Sequence, residues 1–203
     1  MKKIMFNDMY GLTQAVLEGR KTMTRRITIQ PPYENYEIAF PTPDIAFDEN
    51  HSLSEAFCWV NKDNKEEHTE WIRPQWKTGE VVAIAQPYKD ICFENELSGY
   101  PNNAGKTNKM FVRADLMPHR IQITRVQLQP LQSVLKDDCL REGIEWDGLA
   151  GRYYIGHNRP SGLRIWLKDT SQRSFEELID KVCGEGTWNK NPWVFAYTFK
   201  LLK

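Results

Sequence analysis

The chain has 203 residues, 27 Lys plus Arg against 27 Asp plus Glu, and 40% hydrophobic residues. Balanced charge excludes a protein held to duplex nucleic acid by bulk attraction, while leaving room for a local basic pocket. The length suits one large domain, or a smaller one carrying insertions, and no apolar run reaches membrane-spanning length.

Cysteine and histidine usage narrows the chemistry further. Cys58, Cys92, Cys139 and Cys183 form no CxxC pair and read as reduced thiols of a cytoplasmic protein. His51, His68, His119 and His157 have neither HxxxH nor HExxH spacing, so no zinc or other metal site is expected. The apolar part of Met1-Lys2-Lys3-Ile4-Met5-Phe6 is too short for a signal peptide.

Residues 3–6 are a candidate first strand. A short helix is predicted over residues 8–18, with Met9, Leu12 and Val16 on one face and Ala15 beside them. Asp8 is its expected N-cap, and Gly19 its expected left-handed C-terminal residue. The basic turn Gly19-Arg20-Lys21-Thr22-Met23-Thr24-Arg25-Arg26 follows and leads into the β-type run Ile27-Thr28-Ile29. Such a turn can gather an ammonium, a hydroxyl and two guanidinium groups, although an isolated basic run more often faces water.

Pro31-Pro32, Pro41 and Pro43 mark irregular chain. Residues 56–60, a polar turn at 61–65 and residues 67–73 read as a β-hairpin. Lys77-Thr78-Gly79-Glu80 turns into Val81-Val82-Ala83-Ile84-Ala85, apolar on both faces as a doubly buried strand should be. Gln86, Pro87 and Tyr88 stand at its end. Residues 98–109 are polar and turn-rich; Gly105-Lys106-Thr107 within them lacks the spacing of a P-loop.

Residues 110–113 and 121–128 are the next predicted strands. In the second, the apolar phase shifts from Ile121 and Ile123 to Val126 and Leu128, which predicts a bulge. After Pro130, Leu131, Val134, Leu135 and Cys139 form a helical stripe, with Ser133 as cap and Gly143 closing the helix behind Glu142. Residues 146–168 read as a further hairpin with its turn at 157–162. Ser174-Phe175-Glu176-Glu177 has the form of a capping box for a helix with Phe175, Leu178, Ile179 and Val182 on one stripe. Strict alternation puts Phe195, Tyr197, Phe199 and Leu201 on one face of a terminal strand. The sum is an α+β fold on a mixed or closed β-sheet, one domain over residues 1–203.

Four of these pieces together resemble the ASCH domain, a PUA-like mixed β-barrel, in the larger version found on phages and mobile elements. They are residues 19–26 with their GxKxxTxR pattern, Gly79-Glu80-Val81-Val82, the segment 131–144 ending in Glu142-Gly143-Ile144, and Asn191-Pro192-Trp193-Val194. The resemblance spans nearly the whole chain, with flanking short helices and β-hairpin insertions at about 30–76, 89–109 and 146–170. It implies a cleft that binds RNA or a nucleoside. Some small members are amidohydrolases that remove the acyl group of N4-acetylcytidine with a Lys, a Thr and a Glu, which correspond here to Lys21, Thr24 and Glu142.

By the same correspondence Arg26 matches the Arg of the turn; by residue type and position, Arg25, Gln86, Tyr88 and Trp193 are further candidate substrate contacts. Large members commonly carry Trp-Val-Arg-Glu where this chain has Ala83-Ile84-Ala85-Gln86. A neutral amide thus replaces a carboxylate. The implied chemistry uses no cofactor. Thr24 attacks the acyl carbon once Lys21, as the neutral amine, takes its proton, and Arg26 holds an oxyanion or phosphate. Glu142 either gives a proton to the leaving amine or, paired with Lys21, orients it. Trp193 and Tyr88 offer stacking surfaces, and Gln86 a bidentate amide for a base edge. The expected partner is a modified nucleoside or single-stranded RNA. Two other readings are a non-catalytic RNA-binding module and a phage accessory protein acting through protein contacts.

Overall fold

The computed structural model describes residues 1–40, 56–91, 103–156 and 165–202, with residues 165–167 described by backbone alone. Among these, the main sheet is mixed, in the order β1 (Lys3–Ile4), β5 (Val81–Ile84), β6 (Arg120–Pro130), β10 (Trp193–Leu202), β2 (Met23–Ile27). β1 runs parallel to β5, and the other pairings are antiparallel. Two smaller sheets join β3 (Tyr36–Ala39) to β4 (Cys58–Asn61), and β7 (Glu145–Asp147) to β8 (Arg152–Ile155) and β9 (Ile165–Lys168). The α+β class expected from the sequence is therefore observed. β1 and β2 are the sheet's two edges, with no ladder between them among the described residues. The sheet nevertheless curls until the Arg26 guanidinium of β2 donates to the carbonyl of Met5, just past β1, at 2.6 Å.

β10 is the spine. Phe195, Tyr197 and Phe199 are buried on one face, and Val194 and Ala196 are buried on the other. β5 is buried on both faces over Val82, Ala83 and Ile84, as its continuous apolar run predicts. The predicted bulge is present: Thr198 pairs with Arg125 and Phe199 with Ile123, so Thr124 is the extra residue. Segment 30–76 contributes Phe57 and Trp59, which pack edge-on against Phe195 and Trp193.

Several local expectations are corrected. The first helix is split: a 3₁₀ turn, Asp8–Tyr10, is capped by Asn7, and α1 (Leu12–Leu17) begins after Gly11 turns left-handed at φ 66°. Met9 is consequently exposed, and Asp8 pairs with Lys109 at 2.8 Å instead of capping. β2 begins at Met23, so half of the basic turn is strand. Residues 110–113 form no strand; Lys109–Phe111 is a 3₁₀ turn. In the 56–73 hairpin, β4 pairs fully with β3, and its return arm makes only the isolated bridges Phe57–Ile72 and Val60–His68.

Ser133 ends a 3₁₀ turn, and α2 spans Lys136–Arg141 with Leu135 exposed. α3 (Ser171–Cys183) is capped by Thr170, whose side chain accepts from the Arg173 amide. Ser174 is buried inside α3 and donates to the Tyr153 carbonyl. A short α4 (Thr187–Lys190) precedes β10. The turn at 157–162 and the start of the 98–109 loop lie outside the described residues. No helix of the described residues is long and apolar enough to cross a membrane.

Candidate functional site

The basic turn folds its charges inward. Gly19, at φ 75°, ends α1 and sends the chain back so that the Lys21 amide donates to the Ala15 carbonyl at 2.9 Å. Lys21 is 2% exposed. Its stem lies against Gly143, where an added Cβ would meet Leu12 Cδ2 at 3.2 Å and Lys21 Cδ at 3.7 Å. Gly143 also holds φ 103°, a left-handed conformation that favours glycine, and an added Cβ would press on Leu12.

Lys21 Nζ donates to Glu142 Oε2 at 2.6 Å and to the Glu142 carbonyl at 2.7 Å. The other carboxylate oxygen accepts from Arg25 Nη1 at 3.0 Å, and Arg25 Nη2 donates to Asp138 at 2.9 Å. One carboxylate thus serves two cations, and Asp138, on α2, takes part of the second. The Phe6 ring lies 5.9 Å from Lys21 Nζ and the Phe175 ring 5.7 Å from Arg25 Cζ.

This cluster floors a cleft of about 310 Å³. Lys21, Thr24, Arg25, Arg26 and Glu142 supply its polar lining; Phe6, Leu12, Phe175, Leu178 and Ile179 supply apolar wall. The Thr24 hydroxyl makes no hydrogen bond to a described residue, and the Nε of Arg26 is buried without a partner. The cleft can therefore offer an uncommitted hydroxyl and a guanidinium donor beside an apolar wall. Burial pushes the Lys21 amine below its ordinary 10.5, helped by Arg26 and Arg25 and opposed by Glu142. Burial likewise lowers Arg26.

The other three expected contacts are placed elsewhere. Gln86 is 6% exposed, and its Oε1 lies 2.7 Å from Nδ1 of His119. Tyr88 is fully buried in a separate cluster with Ala83, Ala85, Val112 and Met117, and its hydroxyl accepts from the Arg113 amide at 3.0 Å. Residues after β5 thus enter a second core, because the 103–117 segment folds over them. Trp193 packs edge-on against Trp59 at 5.7 Å. None of the three lines the cleft.

Sequence reading missed Asp138, Phe6 and the wall given by α3. The stripe Phe175, Leu178, Ile179 was visible as amphipathic, but nothing in it named the surface that it covers. Among the described residues, no group of three or more His, Cys, Asp or Glu could hold a metal ion. Comparison with family models, with curated proteins and with solved structures finds no match.

Proposed function

We propose that the cleft recognises a nucleoside and hydrolyses an N-acyl group from its base, with N4-acetylcytidine as the sharpest case. One observation carries this reading: a buried lysine of lowered pKa and an uncommitted threonine hydroxyl line the same cleft. In the proposed reaction, neutral Lys21 takes the Thr24 proton as Oγ1 bonds to the acyl carbon. Arg26, which lines the cleft, stabilises the oxyanion. Collapse breaks the C–N bond, and the proton held by Lys21 passes to the leaving amine. Water, deprotonated by Lys21, then releases the acid and restores Thr24. Glu142 orients Lys21, and the apolar wall faces the base. The same reading takes the curled sheet as a PUA-like barrel.

The two short bonds from Lys21 to Glu142 also support a second reading, a non-catalytic RNA-binding module in which the lysine is a plain ion-pair partner. Incubation with N4-acetylcytidine separates them. The wild type is expected to release acetate and cytidine, and Thr24→Ala to lose at least about 10²-fold in rate. Equal rates from both proteins would remove Thr24 from its role. No product, together with salt-sensitive RNA binding, would favour the module.

A further inference from the structure

A second groove, of about 520 Å³, lies on the opposite face of the same sheet and takes no part in the proposed chemistry. Its position follows from the bulge at Thr124. Before the bulge, Ile121 and Ile123 face the core; after it, Val126 and Leu128 do. The bulge therefore turns both Thr124 and Arg125 outward and sets Arg125, Gln127 and Gln129 in a row. Beside them Thr198 of β10 and Met23 of β2 complete the sheet side of the groove. α2 forms the far wall with Asp138 and Arg141.

The groove holds more donor capacity than it uses. Arg125 is exposed and makes no ion pair with a described residue. Arg141 makes only long contacts, 3.4 Å to Thr22 Oγ1, 3.4 Å to Thr198 Oγ1 and 3.8 Å to Asp138. The amide nitrogen of Gln129 is buried without a partner. The one carboxylate in the lining, Asp138, is already taken by Arg25 at 2.9 Å. Such a groove suits an acceptor-rich anion, and two guanidinium groups suit phosphate in particular.

From this donor surplus we infer that the groove binds backbone phosphates of single-stranded RNA. The choice of RNA rests on the proposed nucleoside reading. Arg25 joins the two surfaces: its guanidinium reaches Glu142 in the cleft and Asp138 at the groove. β2, an edge strand, carries residues of both surfaces, Met23 in the groove and Thr24 in the cleft.

The test is fluorescence anisotropy with labelled single-stranded oligouridylate, which has no acylated base. The wild type should bind with a negative salt slope. Arg125→Ala should weaken binding about 5- to 10-fold and make the slope shallower by ~0.7 for one lost phosphate contact. Arg125→Lys should recover most of the affinity, and Gln127→Glu should weaken it by placing a carboxylate in the groove. Absence of wild-type binding, or an Arg125→Ala variant with unchanged affinity and slope, would overturn the inference. Cleavage of free N4-acetylcytidine without oligouridylate binding would sink the groove and leave the cleft reading standing. Arg125-dependent binding without cleavage would do the reverse.

Discussion

The Lys21–Glu142–Arg25 cluster and the Gln86–His119 pair are both polar groups set among apolar side chains, yet only the first opens onto a cleft. In the first, two cations share one carboxylate and one neighbouring acid, and burial works against the protonated amine. In the second, a neutral amide meets an imidazole under the 103–117 segment, beside an apolar cluster. Burying charge is expensive unless each ion has several partners, whereas a buried amide is content with fewer. The contrast separates a site with chemical potential from a piece of structural glue.

The largest test of this contrast is Glu142→Ala. It strands Lys21 and Arg25 as buried cations, so a loss of about 3–5 kcal/mol is expected in urea unfolding. A loss below 1 kcal/mol by the same measurement would show the cluster to be solvated. On the other side, Gly105→Ala strikes the seal of the second core. Its Cβ would stand 2.5 Å from Cε2 of the buried Tyr88 ring, and about 1–3 kcal/mol of overpacking should appear as a lowered Tm.

The pH dependence of stability sharpens the comparison further. The unfolded chain keeps the Lys21 proton up to the ordinary value of 10.5, and the folded chain releases it at lower pH. Between those two values the unfolded state binds more protons, so the Lys21 contribution makes stability rise with pH. The slope is at most about 1.4 kcal/mol per pH unit for one proton. Lys21→Met should lose this rise in denaturant titrations across the alkaline range; an identical slope in both proteins would show that the folded lysine is not perturbed. The smallest effect is expected for Gln86→Met, an apolar replacement of similar volume. It should cost under about 1.5 kcal/mol, because half-exposed His119 can turn to water. A loss matching that of Glu142→Ala would erase the distinction drawn above.

Much of the fold was legible in local pattern. The doubly apolar run of β5, the alternation of Phe195, Tyr197 and Phe199, and the phase shift that announced the bulge at Thr124 all reflect periodicities that the backbone imposes. The glycines at 19 and 143 were readable because positive φ is nearly their monopoly. Caps were less legible: Asn7 and Thr170 displaced Asp8 and Ser174, since several short polar residues compete for each helix start and tertiary contacts choose between them. Residues 110–113 have strand-like composition but found no ladder to join.

By itself, the sequence determined the class of the fold and the turn that carries Lys21; Glu142 became its candidate partner through the family resemblance alone. Only the tertiary structure decided that Arg25 would divide itself between Glu142 and Asp138, that α3 would wall the cleft, and that Gln86 and Tyr88 would be sealed in another core. The reason is physical. Periodicity and turn chemistry act over a few residues and are written locally, whereas burial, and with it the state of Lys21, depends on which distant segments come to cover a side chain.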